Sequence, residues 1–369
     1  MSEQLGLLIV GCGYWGVNYV RNFMEMPDTR VVAICDQRAE RLRELRRRFP
    51  EPALTTDLQK ALRLRSVDAV VVCTNATSHF EVARQCLEAG KHVLVEKPMA
   101  TSTREAQQLV DLAEVKHVTL MVGHIFLYNN AVRKIKSFID ERSLGELYYL
   151  YARRTNLGPI RCDVNALWDL APHDVSIFNY LLGARPVWVS AVGTQVLHNC
   201  REDVGFIVLG YPNNILGHVH VSWADPLKVR EVVVVGSDKR IVFNDLDPLE
   251  RVRIFEKGIA PAVDEAGPAS YSEHQFSIRD GDIISPKIEF NEPLKAQCQH
   301  FVDCVHQGCP PLSDGREGLE VVQVMEAIAR SVSLRGAPVE IGWDQVQDNL
   351  ARVGTEGNYE RRTGVSTVR

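Results

Sequence analysis

The decapeptide KHVLVEKPMA, residues 91 to 100, places two charged side chains directly after an apolar run. Residues 93 to 95 are typical of a buried strand, and Glu96 and Lys97 follow before Pro98 restricts the backbone. Burying an unpaired charge is costly, so stability alone does not explain this triplet. The carboxyl ends of strands in an open α/β sheet border the ligand crevice. The pattern predicts that Lys97 is a polariser or proton relay there, the alternative being a surface lysine paired with Glu96.

The stretch LLIVGCGYWGVNYV contains Gly11-x-Gly13-x-x-Gly16 between a strand pattern and a helix pattern. Gly11 permits a tight turn, Gly13 lets the backbone approach a pyrophosphate, and Gly16 allows the helix to pack against the strand. The amino end of the helix, with Tyr14 and Trp15, presents free N–H groups to phosphates. The spacing predicts a dinucleotide site.

An acidic residue at the expected distance supports this prediction. Asp36 closes the second strand pattern 20 residues after Gly16. A carboxylate there accepts hydrogen bonds from a ribose diol and repels a 2′-phosphate, which favours NAD. Arg38 leaves NADP open, because its guanidinium can stack on adenine or meet that phosphate. The remaining alternative is an ordinary glycine turn followed by a capping aspartate.

A second candidate pair lies in ALWDLAPHDVSIFNYLLG, where Asp169 and His173 are four residues apart. This spacing puts both side chains on one side of a helix, which we expect to begin near Asp169. Pro172 is compatible with a first turn. A histidine in that turn feels the positive helix end and stays a neutral base near neutral pH. Alternatively, Asp169 is only an N-cap and His173 only a core residue.

Composition limits the function classes. A length of 369 residues predicts two domains, and a net charge of −5 argues against a nucleic-acid partner. Nine cysteines without a C-x-x-C pair indicate reduced thiols in a cytoplasmic protein, and we expect neither a signal peptide nor a membrane span. No metal site is expected, because H-E-x-x-H and dense carboxylate sets are absent from the sequence; His218 and His220 are interpreted as packing.

The elements that must position these residues divide the chain into three parts. From residue 1 to 124, apolar runs alternate with helical segments, which predicts an α/β fold with a doubly wound parallel sheet. From 125 to 342, alternating stretches separated by Gly, Pro and Asn predict an α+β domain with a large, open, mostly antiparallel sheet. Residues 343 to 369 are polar and are expected to form a mobile tail.

With GCGYWG, CD at 35 to 36, TNATSH at 74 to 79 and AGKHVLVEKPMA at 89 to 100, the sequence resembles the glucose-fructose oxidoreductase, inositol dehydrogenase and MocA family from residue 5 to about 340. The resemblance implies an N-terminal Rossmann domain that binds NAD. It also implies a C-terminal domain whose open sheet face carries the substrate, and a homodimer or homotetramer joined through those sheets. Lys97 would touch both the nicotinamide ribose and the substrate oxygen. Asp169 and His173 match the family's Asp-x-x-x-His pair.

Other site residues follow from the matched motifs. Many relatives have Thr-Pro where this chain has Thr74-Asn75, and an asparagine can still contact ribose or nicotinamide. Glu96 and His79 are placed with the coenzyme, although His79 and His124 are each open between ligand contact and structural hydrogen bonding. The residues assigned to the substrate are His124, Arg154, Asn156, Arg161, Trp168 and Lys287.

Three stretches of the sequence are GCGYWGVNYVRNF, ALWDLAPHD and GDIISPKIEFNEPLKAQCQHFVDCV. Within the family they are most similar to nucleotide-sugar dehydrogenases and 3-ketoreductases of bacterial surface-polysaccharide and amino-sugar pathways. Resemblance thus implies hydride exchange at C3 of a sugar such as UDP-N-acetylglucosaminuronate. In the expected mechanism, His173 takes the hydroxyl proton, Lys97 hydrogen-bonds the alkoxide, and Asp169 orients the histidine. The physiological direction stays open. The alternatives are an inositol or free-sugar dehydrogenase and a non-catalytic NAD-binding sensor.

Overall fold

The computed structural model describes residues 4–197, 201–261 and 276–343. The predicted tail, from residue 344 onward, lies outside the described residues. No helix in the described part of the chain is both long and apolar enough to cross a membrane.

The first sheet is parallel and six-stranded, in the order β3-β2-β1-β4-β5-β6. Its strands are β1 (Leu5–Val10), β2 (Thr29–Cys35), β3 (Ala53–Thr55), β4 (Ala69–Val72), β5 (His92–Val95) and β6 (Leu120–Val122). The helices between them are α1 (Tyr14–Met24), α2 (Ala39–Arg48), α3 (Leu58–Leu62), α4 (Ala76–Glu88) and α5 (Thr103–Lys116). The residues of β1 and β4 are buried throughout because helices cover both sheet faces. The strand order reverses between β1 and β4, so their carboxyl ends open the ligand crevice.

A short 3-10 helix (Ile125–Tyr128) and α6 (Asn130–Asp140) lead from β6 to the second sheet. This sheet has nine strands in the order β16-β13-β12-β11-β7-β10-β9-β8-β17. The strands of this region are β7 (Leu147–Leu157), β8 (Trp188–Thr194), β9 (Val204–Gly210), β10 (Leu216–Ser222), β11 (Ala224–Gly236), β12 (Arg240–Asn244), β13 (Val252–Phe255), β14 (Gly258–Pro261), β15 (Phe276–Arg279), β16 (Ile283–Ile284) and β17 (Val339–Glu340). Strands β14 and β15 form a separate two-stranded sheet.

Within the nine-stranded sheet, only β7 and β10 pair in parallel; the other neighbours are antiparallel. Three helices complete this half of the chain: α7 (Ala166–Leu182), α8 (Pro293–Gln307) and α9 (Gly315–Ser333). The buried face of the sheet packs on α7 and α9. The opposite face exposes large side chains, among them Tyr149, Phe206 and Leu216. The predicted fold class, a doubly wound parallel sheet followed by a mostly antiparallel one, is confirmed.

The two last helices pack against both halves of the chain. From α8, Leu294 and Phe301 join the apolar cluster formed by β1 and α1. From α9, Val322 joins the cluster beneath α5, while Met325 joins the core of the second sheet. The late helices therefore couple the two sheets and cover more than the second one.

Candidate active site

The glycine turn between β1 and α1 is shaped by close packing on one side and open space on the other. Gly11 has φ +83°, and a Cβ there would stand 2.8 Å from main-chain atoms of Cys73 and Thr74. A Cβ on Gly16 would lie 2.1 Å from the Gly11 carbonyl oxygen. At Gly13 nothing lies within 4 Å. The free N–H groups at the start of α1 therefore face room for an anion such as a pyrophosphate.

Asp36 closes β2 beside this turn and is buried. It accepts hydrogen bonds from the main-chain N–H of Cys12 at 2.9 Å and from the main-chain N–H of Arg38 at 2.9 Å, and Arg38 Nε lies 3.1 Å away. Burial acts to raise the pKa of Asp36, but the hydrogen bonds from Arg38 and Cys12 outweigh it, so the pKa is lowered. The group is a carboxylate at neutral pH. Arg38 Nη2 also donates to it at 3.2 Å, so its four lone-pair sites are occupied, and a ribose diol would take the place of the exposed Arg38 guanidinium.

A cleft of about 330 Å³ adjoins Asp36, lined by Gly13, Tyr14, Arg38, Glu40, Arg41 and Glu44. Tyr14 is 80% exposed at its mouth, and Trp15 contacts Tyr14 edge to face at 5.4 Å between ring centroids. At the end of β4, Thr74 Oγ1 is buried without a hydrogen-bond partner. This orphaned hydroxyl, the space at Gly13 and the charged Asp36 suit a dinucleotide.

Asn75 is the N-cap residue of α4, but its side chain makes no capping hydrogen bond and is exposed. The first N–H of that helix, on Ala76, instead donates to Oδ2 of Asp163 at 2.9 Å. The Asn75 amide therefore has no capping bond to break before it contacts a ligand.

Lys97 lies at the carboxyl end of β5 and is only 8% exposed. Its Nζ donates to the main-chain oxygen of Asp169 at 2.6 Å and lies 3.2 Å from Oδ1 of the same residue. An ammonium carries three N–H groups, so one stays available for a substrate oxygen. The Lys97–Pro98 peptide is cis.

The Asp169 carboxylate receives three side-chain donors. Besides Lys97, Arg161 Nη1 donates to Oδ1 at 3.1 Å and Trp223 Nε1 donates to Oδ2 at 3.2 Å. Burial acts to raise the pKa of Asp169, yet the charges of Lys97 and Arg161 lower it overall. We expected Asp169 to orient His173, but no hydrogen bond joins these two side chains in the described part of the chain. The carboxylate lies against two cations, which attract it more strongly than a neutral ring does.

Helix α7 begins at Ala166, so the prediction that it begins near Asp169 was wrong. The Asn165 side chain caps it by accepting from the N–H of Trp168 at 2.9 Å. His173 consequently lies two turns inside the helix, where the charge of the helix end is no longer felt. Pro172 is an interior proline, which removes an N–H from the ladder and crowds the preceding turn. The Asp169 carbonyl that accepts from Lys97 belongs to that turn.

The His173 ring is partly exposed and meets Phe126 edge to face at 5.1 Å between centroids. Its Nδ1 is buried without a partner, and no described residue hydrogen-bonds the other ring nitrogen. Burial lowers the pKa of His173 well below its ordinary value, and the charges of Lys97 and Arg154 lower it further. The ring is therefore neutral near neutral pH because of burial and these charges and not because of the helix end, and its role as a base stays a prediction.

Glu96 is buried and is held by protein groups. Its carboxylate accepts from the Tyr19 hydroxyl at 2.8 Å and from the Lys97 N–H at 3.2 Å, and Gln297 on α8 donates to Tyr19 at 2.7 Å. Burial raises the pKa of Glu96. These contacts support a structural role for Glu96 beneath Lys97, and its contact with the coenzyme stays a prediction.

His79 and His124 are each held by protein groups. His79 Nδ1 lies 2.8 Å from the Pro98 carbonyl and its Nε2 lies 3.0 Å from that of Thr74, which ties the ends of β4 and β5 together. His124 is 1% exposed, and its Nδ1–H donates to Glu317 at 2.5 Å. Both observations favour the structural-hydrogen-bonding alternative for these rings.

The predicted substrate arginines differ in their surroundings. Arg154 is buried and forms a two-pronged ion pair with Asp174 at 2.9 and 2.7 Å. Its guanidinium also lies over the Phe126 ring, 4.5 Å from the centroid. Arg161 is 28% exposed and binds both Asp163 and Asp169. The donors of Arg154 are therefore used within the protein core. Arg161, by contrast, lies next to Lys97, since both contact Asp169.

Three other predicted substrate residues are dispersed. Asn156 donates to the Gly158 carbonyl within its own turn. Trp168 is partly buried and packs against the cores of both sheets, so it lies at their boundary. Lys287 is exposed between β16 and α8, and the structure records no contact between it and Lys97, Asp169 or His173.

Two family models account for more than half of the chain. The model described as "Oxidoreductase family, NAD-binding Rossmann fold" matches residues 5–124, and the one described as "GFO/IDH/MocA C-terminal domain" matches residues 132–242. The chain belongs to the GFO/IDH/MocA oxidoreductase family. The resemblance stated from the motifs is confirmed, and this family member is an oxidoreductase with an NAD-binding domain.

Several relatives match nearly the whole chain. UDP-N-acetylglucosamine 3-dehydrogenase of Acidithiobacillus ferrooxidans is 26% identical over 328 residues, covering 85% of this chain and 93% of that protein. Myo-inositol 2-dehydrogenase of Thermotoga maritima is 24% identical over 321 residues, covering 84% and 91%. The crystal structure of GenD2 from gentamicin A biosynthesis, in complex with NAD, superposes with a TM-score of 0.78 at 26% identity, covering 93% of this chain and 97% of that one.

The sequence reasoning missed three residues of this family member's site. Asp163, Trp223 and Tyr19 hold Arg161, Asp169 and Glu96 respectively. Trp223 and Tyr19 reach their partners from another element, so no local spacing signals those contacts. Asp163 lies only two residues after Arg161, and this spacing was the one local signal that could have revealed a contact. Among the described residues, no group of three or more His, Cys, Asp or Glu side chains is arranged to hold a metal ion.

Proposed function

We propose that the chain transfers a hydride between NAD and a secondary alcohol carbon of a sugar, C3 of a nucleotide-linked sugar being the first candidate. The observation that carries this proposal is the Lys97 ammonium, which has one N–H free beside the helix that bears the neutral His173. Asp169 contacts Lys97 and lies one helical turn before His173, so a single hydroxyl can meet both groups. A mere coenzyme sensor would need neither group.

In the oxidation direction, His173 accepts the proton of the substrate hydroxyl through a ring nitrogen. Lys97 donates its free N–H to the same oxygen and stabilises the negative charge that develops there. Asp169 and its main-chain carbonyl hold the ammonium in place for this contact. When bound, NAD+ supplies the carbon that accepts the hydride. In the reduction direction, His173 returns the proton.

The charges near Lys97 favour a sugar without a carboxylate at this position. The cations Lys97 and Arg161 are matched by the carboxylates of Asp163 and Asp169, so this group has no surplus positive charge. A uronate would add an uncompensated negative charge in a partly buried place. We therefore rank UDP-N-acetylglucosamine, named as the substrate of the Acidithiobacillus relative, above its uronate.

An inositol or free sugar is the second candidate substrate, because the Thermotoga relative is named a myo-inositol 2-dehydrogenase at similar identity and coverage. Such a substrate needs only the hydroxyl contacts of Lys97 and His173. Unlike a nucleotide-linked sugar, an inositol or free sugar has no diphosphate, so its binding requires no hydrogen-bond donors for one.

A substrate panel tests this proposal. The full chain is incubated with NAD+ or NADP+ and with UDP-N-acetylglucosamine, its uronate, myo-inositol or free hexoses, and NADH formation is followed by absorbance. We expect turnover with a UDP-sugar and a large loss of turnover after Lys97→Met or His173→Gln, with Lys116→Met on the exposed end of α5 as the matched control. Turnover of polyols alone would end the nucleotide-sugar assignment. NAD binding without turnover of any member would favour the sensor.

Assembly and location belong to the same proposal. The exposed face of the nine-stranded sheet, with Tyr149, Phe206 and Leu216, suits a homodimer contact with a second copy. Light scattering of the parent and of Phe206→Asp tests this: the parent should be a dimer or tetramer and the variant smaller. A monomeric parent would refute it. We place the protein in the cytoplasm because the described cysteines are free thiols; secretion of the native protein into the periplasm or medium would contradict this.

A further inference from the structure

A pair of cysteines lies where α8 ends. The helix stops at Gln307, and Gly308 follows in the left-handed region with φ +65°. The N–H of Cys309 donates to the carbonyl of Cys304 at 3.3 Å. This is the Schellman arrangement, in which the residue after the glycine meets the residue five positions earlier. The usual apolar contact of that motif is made here by two thiols.

The two sulfur atoms are 3.5 Å apart, and both residues are free cysteines. A disulfide requires about 2.05 Å between sulfurs, so an approach of about 1.5 Å is enough to form one. Cys304 is 1% exposed, whereas Cys309 is partly exposed and can be reached by a small oxidant. The two thiols therefore differ in access while already in contact.

A neutral histidine lies beside the pair and completes its surroundings. His300 Nε2 lies 3.5 Å from Cys304 Sγ and also accepts the main-chain N–H of Leu312 at 2.9 Å. Accepting that N–H identifies Nε2 as the unprotonated nitrogen of the ring. Burial lowers the pKa of His300, which keeps the ring neutral. Burial raises the pKa of the Cys304 thiol to about 12, so the more exposed Cys309 is the thiol that meets the oxidant first.

We propose that Cys304 and Cys309 form a redox-active dithiol, a modification site separate from the NAD chemistry, that closes to a disulfide on exposure to a peroxide. The Cys309 sulfur attacks one peroxide oxygen and the O–O bond breaks, giving a sulfenic acid and one water. The Cys304 sulfur then attacks the Cys309 sulfur, its proton leaves, and the hydroxyl departs as a second water. Two thiols are oxidised and one hydrogen peroxide is reduced to two waters.

Peptide mapping tests this directly on the full chain. The protein is treated with hydrogen peroxide, quenched with catalase, denatured, alkylated with iodoacetamide and cut with trypsin without reduction. Cleavage after Lys295 and Arg316 gives a peptide, residues 296 to 316, that holds Cys298, Cys304 and Cys309. We expect it to lose the mass of two hydrogens and to carry the alkyl group on Cys298 alone. Dithiothreitol should restore three alkylated cysteines.

Matched variants and an internal reporter make the result decisive. Cys309→Ser and Cys304→Ser should each abolish the bridge, while Cys298→Ser should keep it. The exposed Cys162, on another peptide, reports that the oxidant acted. If Cys162 is oxidised while Cys304 and Cys309 both stay fully alkylated, or if the bridge includes Cys298, the proposal is refuted and the contact is only packing.

Discussion

Lys97 Nζ lies 2.6 Å from the main-chain oxygen of Asp169 and 3.2 Å from its carboxylate. The contact joins the end of a strand in the first sheet to a helix of the second half of the chain. It therefore links the two parts of the chain between which we propose that the substrate lies.

Replacing Lys97 with methionine keeps most of the side-chain volume and removes the ammonium that we propose donates to the reacting oxygen. We expect kcat to fall by roughly 10²- to 10⁴-fold, the usual contribution of a positioned proton-transfer or oxyanion group. NADH binding, measured by fluorescence titration, should change far less. Lys116→Met should behave as the parent, and a Lys97→Met enzyme with parental kcat would contradict the assignment.

The pKa of His173 is lowered, so the neutral base should persist on the acid side of 6.5, the ordinary pKa of histidine. We expect kcat/KM for alcohol oxidation to hold its value as the pH falls through 6.5 and to decline only below it. His173→Gln should lower activity and remove that decline. A decline centred above 6.5 in the parent would show that the base is another group.

The same shift bears on stability. Because the unfolded chain takes up a proton on His173 at a higher pH than the folded chain does, His173 should make folding less favourable as the pH falls below 6.5. Urea unfolding of the parent and of His173→Gln across this range measures the difference, which should grow toward acid pH.

The buried pair of Arg154 and Asp174 should contribute to stability and not to substrate affinity. Arg154→Met leaves a buried carboxylate without its partner, and we expect a loss of about 3–5 kcal/mol in the free energy of unfolding by urea. The double variant Arg154→Met/Asp174→Leu should recover part of this loss. If Arg154→Met instead raised the KM for the sugar and left the free energy of unfolding unchanged, Arg154 would be a substrate-binding residue.

Coenzyme choice should depend on Asp36 and Arg38 together. Asp36→Ser removes the carboxylate that we propose binds the ribose diol and frees Arg38 for a 2′-phosphate. The preference for NAD over NADP in kcat/KM should fall roughly 10- to 100-fold, since hydrogen bonds to charged groups contribute about 1.5–3 kcal/mol. Adding Arg38→Ala should cancel the gain with NADP, and an unchanged preference would mean that Asp36 does not reach the ribose.

Asp163 links Arg161 to the first turn of α4, and its pKa is lowered from 3.8 to about 2. Burial opposes this shift, but the hydrogen bonds and charge of Arg161 outweigh it. The stabilisation should be complete above about pH 4 and lost as the pH falls toward 2. Urea unfolding of Asp163→Asn should thus show a deficit at pH 7 that shrinks in acid. The exposed Asp28→Asn serves as control, and a deficit independent of pH would refute the linkage.

The parallel sheet and its coenzyme turn could be predicted because their causes are local. Gly11, Gly13 and Gly16 have fixed spacing, and strands buried on both faces are continuous apolar runs. The start of α7 could not be predicted in this way, because Asp169 and Asn165 are both residue types that favour the N-cap position. In the structure the N-cap is Asn165. The partners of Asp169 were equally hidden: Arg161 and Trp223 arrive from different elements, and only their positions in space show that they outcompete His173.

The packing of α8 on β1 and α1 has a consequence for synthesis of the protein. A ribosome finishes the strands of the coenzyme half long before it reaches Leu294 and Phe301, which complete the apolar cluster of that half. Until then the nascent chain exposes an uncovered hydrophobic flank, to which chaperones bind. Both halves therefore mature together near the end of translation, and a fragment that stops before residue 293 should aggregate instead of yielding a free nucleotide-binding domain.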